Sequence, residues 1–220
     1  MVYAEDQSNF KTRSLHHLRR PQAPISKENL QELLNFLKTN LKANDILALS
    51  GSVPSSLPSS IYADIIESIP KDVKVILDTR GLPFEIALKK GVFLIKPNKD
   101  EINEFFNSNF STTEELVEAG KKLQKMGAKN VLISLGSKGS IFITQNEIFI
   151  SGVPKGTLIS SNGSGDSMIG GFIYGLNKSL SLKECYEIGI ASGSATAFSK
   201  GLATFNTMIN LLKDIKVINL

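Results

Sequence analysis

The amino-acid sequence predicts a layered α/β fold on a mainly parallel sheet. Four short apolar runs carry the prediction: DILALS (45–50), VKVILD (73–78), VFLIKP (92–97) and NVLISLG (130–136). Each is continuous rather than alternating, as strands covered on both faces are. Between them lie segments with leucine and isoleucine at helical spacing, and that β-α rhythm belongs to a sheet with crossover helices.

The elements follow in order. Residues 27–42 place Leu30, Leu33, Leu34, Leu37 and Leu41 on one helical face, with Ser26 positioned to cap. DILALS ends in the Gly/Ser/Pro-rich turn GSVPSSLP, and a second helix spans roughly 60–69. VKVILD, a helix over 82–90 and VFLIKP come next. One helix starts at Asp100 and another at Thr112, the latter with Ser111 and Glu114 spaced as a capping box. After NVLISLG the rhythm changes. GSIFIT and EIFISG flank Gln145-Asn146 and read as an antiparallel hairpin on the sheet edge. Two apolar helices (165–177 and 181–198), a short helix and a terminal strand KVINL complete the chain. Residues 25–220 thus read as one domain. Residues 1–24 show neither periodicity and read as an irregular tail or remnant.

Composition narrows the classes. With 220 residues, 41% hydrophobic and 21% charged, the chain can bury a sizeable core. The net charge of +4 is spread along the sequence and gives no nucleic-acid footprint. The densest basic run, Lys11 to Arg20, lies in the tail. His16 and His17 also lie there, without a third ligand at metal spacing. No apolar run is long enough to span a bilayer, no signal-peptide core is evident, and Cys185 is the single cysteine. A cytoplasmic protein is expected, with no membrane partner. Cys185 reads as a buried helix residue, not a nucleophile.

The stretch richest in chemistry is ISSNGSGDSMIGGFIYGL (159–176). Gly163, Ser164 and Gly165 lead into Asp166 and an apolar helix. Small residues let backbone approach an anion, and free N–H groups at a helix start supply an anion hole. A carboxylate there can take a proton from a hydroxyl that attacks a phosphoryl group held beside it. By pattern alone Asp166 could equally be a helix cap. Asn98 and Glu101 could simply open a helix, Lys96 could be a solvated strand end, and SLGSKG (134–139) a turn into the hairpin.

These segments together resemble the ribokinase/PfkB carbohydrate kinases. SNGSGDSMIGGFIYGL resembles the family's G-[AS]-G-D signature, and with SGSATAFSKGLAT (192–204) it looks most like bacterial 1-phosphofructokinases. LSGSVPSSLPSSIYADII (49–66), VILDTRG (75–81), FLIKPNKDEI (93–102) with its N-x-x-E, and SLGSKG as S-x-G-x-x-G follow in the family's order. The resemblance implies a ribokinase-like three-layer αβα sandwich whose mainly parallel sheet ends in the antiparallel hairpin. It implies Asp166 as catalytic base and Gly163, Ser164 and Gly165 as anion hole. ATP would be bound by Lys96, Ser134, Gly136, Ser137, Gly139, Gly165, Asp166 and Ser192, the last opening a run of small residues near the adenine. Asn98 and Glu101 would hold Mg²⁺ through water.

The reaction implied is phosphoryl transfer from ATP to a ketohexose phosphate. Fructose 1-phosphate, giving the 1,6-bisphosphate, is favoured over tagatose 6-phosphate or fructose 6-phosphate. Where family members carry their first strands, a β lid, a sugar-binding Asp and G-G-K-G-x-N, this sequence has no counterpart. An N-terminally truncated chain is therefore expected, with DILALS or VKVILD at an unpaired edge. A homodimer through the lid is common in the family. A silent ATP-binding fragment is the competing expectation. A dinucleotide-binding reading fails because S-G-S-V-P stands where G-x-G-x-x-G is needed.

Overall fold

The computed structural model describes residues 24–220, so the tail reading and His16 and His17 lie outside the described residues. Four βα units come first: α1 (Lys27–Asn40), β1 (Ile46–Ser50), α2 (Ile61–Ser68), β2 (Lys74–Asp78), α3 (Leu82–Leu88), β3 (Val92–Ile95), α4 (Lys99–Phe106), α5 (Thr113–Lys125) and β4 (Ala128–Ser134). The hairpin β5 (Ser140–Ile143) and β6 (Ile148–Ser151) is next. Then come α6 (Ser164–Asn177), α7 (Leu182–Ala197), α8 (Phe205–Leu212) and β7 (Val217–Asn219).

The seven strands form one sheet in chain order, β1 to β7. Pairs from β1 to β4 are parallel and those from β4 to β7 antiparallel. The expectation of a mainly parallel α/β sheet is met, with one difference. β7 pairs with β6, so the hairpin is interior and the short β7 takes the edge position. At the opposite side, β1 pairs with β2 alone among the described residues, leaving its outer edge open there.

Strand order explains the layers. Each crossover from β1 to β4 adds its strand on the same side, and right-handed connections then place every crossover helix on one face. The pleat divides the side chains accordingly. Val75, Leu77, Ile95, Val131 and Ile133 point to a core shared with α2, α3, α4 and α5. Ile76, Leu94 and Leu132, one residue out of phase, point to the second core beneath α6 and α7. Phe142 centres that core, edge-on to Phe172 and beside Tyr186. Both faces being covered is why the runs of β2, β3 and β4 read as continuously apolar, whereas β1 at the open edge leaves Ala48 exposed.

Caps set several boundaries. Ser26 accepts from Asn29 N–H as its position suggests. The box before α5 is formed by Thr112 and Glu115, one residue later than Ser111 and Glu114. Thr112 is the residue in extended conformation, and Glu115 Oε2 also takes Ser111 N–H at 2.7 Å. α4 starts at Lys99 because Asn98 and Glu101 make a full capping box of their own.

Packing between α6 and α7 depends on glycine at the crossing. A Cβ at Gly189 would stand 3.0 Å from Met168 O, and one at Gly171 would overlap the Ser192 side chain and the Ile188 carbonyl. Gly171→Val therefore overpacks the crossing, at a cost of about 1–3 kcal/mol. The measurable result is a melting temperature roughly 2–10 °C below that of the unsubstituted chain.

Candidate active site

The carboxyl ends of β1 to β4 converge on the amino end of α6, the region where open α/β sheets bind ligands. Asp78 ends β2, and Lys96 follows β3 directly. Lys96 is only 9% exposed, and its ammonium lies 3.4 Å from Asp78 Oδ1. The same ammonium reaches the first turn of α6: a Cβ on Gly165 would stand 2.9 Å from Nζ. Glycine at 165 thus leaves room for a buried cation against the helix start. Lys96 is not a solvated strand end.

Burial pushes the Asp78 carboxyl above the usual carboxylate range. Lys96 opposes that shift, while the neighbouring charges of Glu101 and Asp166 add to it. Three carboxylates and one ammonium therefore share this corner. Asp78 is the residue that sequence reasoning passed over. Its signal was present, since an aspartate closing the otherwise apolar run VKVIL needs a reason to be at a buried strand end.

At α6, Gly163 caps the helix in the left-handed region with φ 76° and no side chain to satisfy the first amides. Ser164 N–H donates to Ser161 O at 3.2 Å and Ser167 N–H to Gly163 O at 2.9 Å. Among the described residues, the N–H groups of Gly163, Gly165 and Asp166 have no hydrogen-bond partner, so two of the three residues expected to form the anion hole present free donors, joined by Asp166. Ser164 Oγ is buried without a partner. Asp166 itself is exposed in the first turn, available to solvent. Behind it, Thr196 Oγ1 donates to Ser167 Oγ at 2.8 Å and accepts from Ala203 N–H at 3.1 Å, tying α7 to this turn.

Asn98 and Glu101 lie beside the same corner. Asn98 Oδ1 accepts from Glu101 N–H and Glu101 Oε2 from Asn98 N–H, each at 2.9 Å. The helix-opening reading is thus correct for these atoms, and it leaves one Glu101 oxygen for anything else. No group of three or more His, Cys, Asp or Glu side chains forms a metal cage among the described residues. A donor set this sparse fits a hydrated Mg²⁺ held through its waters and does not fit a stripped ion.

Ser134 adjoins Asn98 through a parallel bridge, its N–H donating to Pro97 O at 3.0 Å. The loop after it makes a 3₁₀ turn over Gly136–Lys138 and closes with Leu135 N–H on Gly139 O at 2.9 Å. Ser137 is exposed at its tip. Gly139 has φ 94°, and a Cβ there would strike the Ser151 carbonyl, so no other residue fits. Next to it, Tyr186 of α7 is fully buried. Its hydroxyl donates to Ser140 O at 2.8 Å and lies 2.9 Å from Ser140 Oγ. Nothing in the local sequence marks this pair, since the two residues are 46 positions apart.

Ser192 departs from the grouping. Its hydroxyl packs against Gly171 at the helix crossing. Cys185 is fully buried, and burial pushes its thiol up to about 11.

Comparison with known proteins decides the ancestry. The profile of "pfkB family carbohydrate kinase" matches residues 7–208, reaching into the segment read as a tail. The chain belongs to the pfkB carbohydrate kinase family. A 1-phosphofructokinase of Borreliella burgdorferi is 41% identical over 196 residues, covering 89% of this chain and 64% of that protein. A D-tagatose-1-phosphate kinase of Bacillus licheniformis is 30% identical over 198 residues, 89% of this chain and 65% of its own. Among solved structures, phosphofructokinase-2 from Escherichia coli in complex with substrates and products superposes with a TM-score of 0.82. Its identity is 25%, over 89% of this chain and 64% of that one. This pfkB-family chain thus spans about two thirds of the length of the relatives it matches. The ribokinase-like layers inferred from its sequence are those of the family.

For Cys185 the expected behaviour is inertness. A thiol reagent at pH 8 should leave it unmodified in the folded protein and react fully once guanidinium unfolds the chain, which absorbance titration can follow.

Proposed function

We propose that the chain is the nucleotide-binding and catalytic part of a kinase that moves phosphate from ATP to a ketohexose phosphate, with fructose 1-phosphate favoured. One observation supports it above the others. The α6 start, with two unpartnered amides and Asp166, faces the same corner as a buried ammonium. An anion hole, a cation and a carboxylate base in one corner are the parts phosphoryl transfer needs.

In this reading Asp166 takes the proton from the attacking sugar hydroxyl. Gly165 and Asp166 amides, with the α6 dipole behind them, stabilise charge on the transferring phosphoryl, and Gly163 and Ser164 shape the turn that frees them. Lys96 neutralises phosphate oxygens from the sheet side. Mg²⁺, when bound, offsets the triphosphate charge, and Asn98 and Glu101 orient it through water. Ser134, Gly136, Ser137 and Gly139 give the nucleotide a flat seat at the end of β4. Ser192, set in the helix crossing, acts only on the packing behind that seat. Residues 25–220 form the catalytic unit. No helix among the described residues is long and apolar enough to cross a membrane, in keeping with a cytoplasmic enzyme acting on small phosphorylated sugars. A second copy of the chain is the one macromolecular partner the family reading suggests.

ADP release with Mg-ATP tests the reading. Fructose 1-phosphate, tagatose 1-phosphate, tagatose 6-phosphate and fructose 6-phosphate are compared. Turnover should require one sugar phosphate, and Asp166→Asn should lower kcat by about 10²–10⁴ with little change in nucleotide binding. Full turnover in that variant removes Asp166 as base. ATP binding without turnover on any of the four sugars favours the silent nucleotide-binding reading.

A further inference from the structure

We infer that Asp78 is the positioning residue for Lys96, aiming its ammonium at the first turn of α6. The inference rests on the nucleotide-site reading above and adds to it a residue with no role so far. Lys96 carries a flexible four-carbon stem and a compact charge, so the side chain alone does not fix where the ammonium sits. Three elements meet around it: β2 through Asp78, β3 through its own backbone, and α6 through Gly165. Of these, only Asp78 offers an ion-pair partner within 4.0 Å. Glu101 and Asp166 are near enough to act electrostatically on Asp78, yet neither pairs with Lys96. The cation is held from one direction and lies in the other against Gly165, in the turn whose Gly165 and Asp166 amides are free.

Asp78 has no means of gripping a phosphate itself, since both are anionic. Its contribution passes through Lys96. An ammonium this buried is favoured beside a counter-charge. It must also be placed to meet an oxygen that arrives with the nucleotide. Asp78 does both, and the absent Cβ at Gly165 leaves the path open.

A double-mutant cycle on ATP binding tests the coupling. Calorimetric titration with ATP in EDTA removes any contribution through a metal and needs no turnover. Lys96→Ala should weaken ATP binding by about tenfold in the unsubstituted background, the loss of one charge-assisted contact. In an Asp78→Ala background the same substitution should cost less than about threefold, because the ammonium is no longer aimed. Asp78→Asn, whose amide oxygen still accepts from the ammonium, should fall between. If Asp78→Ala does not give a cooperative thermal transition, the Asp78→Asn cycle decides alone. Additive effects would overturn the inference. So would a larger cost of Lys96→Ala without Asp78, which would make Asp78 a mask over the cation. No ATP binding by the unsubstituted chain would overturn the nucleotide-site reading and this inference with it.

Discussion

The handedness of the crossovers determines where the candidate base sits. Because β1 to β4 are laid down in chain order, right-handed connections commit α2 to α5 to one face. The other face of a sheet rich in Ile, Leu and Phe cannot stay wet, and among the described residues the chain beyond the hairpin covers it. α6 and α7 do so, burying Met168, Phe172, Tyr186 and Ile190 over Ile76, Leu94 and Leu132. That placement brings the start of α6 across the carboxyl ends of β2 and β3. Lys96 and the first turn of α6, some 70 positions apart in sequence, meet at Gly165 as a result of topology.

Charge at the corner is arranged under the same constraint. Burial disfavours the Asp78 carboxylate, and the Lys96 ammonium 3.4 Å away offsets part of that cost. The side chain at 165 is dispensed with so that the ammonium can lie against backbone. A polyanion entering the corner would find donors already fixed, with little reorganisation left to do.

Much of this was legible in the sequence. The strands were readable because burial on both faces leaves no alternation to obscure them. The helices were readable where caps such as Ser26 are local. The Asn98–Glu101 spacing was legible too, although it could not tell a cap from a metal ligand, and the structure gives those atoms to the cap. The α5 box slipped by one residue because Ser111 and Thr112 offer the same chemistry, and only backbone conformation separates them. The contacts of Asp78, Ser192 and Tyr186 were illegible for another reason, although an aspartate closing β2 already asked for a partner. What each does depends on a partner 18, 21 or 46 residues away, respectively Lys96, Gly171 and Ser140.

The Tyr186–Ser140 exchange joins parts of the molecule that would otherwise be independent. One hydroxyl answers both the carbonyl and the side chain of the residue that closes the loop after β4. Both residues are shut away from solvent, so breaking the pair strands buried polar atoms. Separating α7 from the start of β5 therefore costs more than the apolar contacts around it, and the loop after β4 is held against the helix pair that carries Asp166.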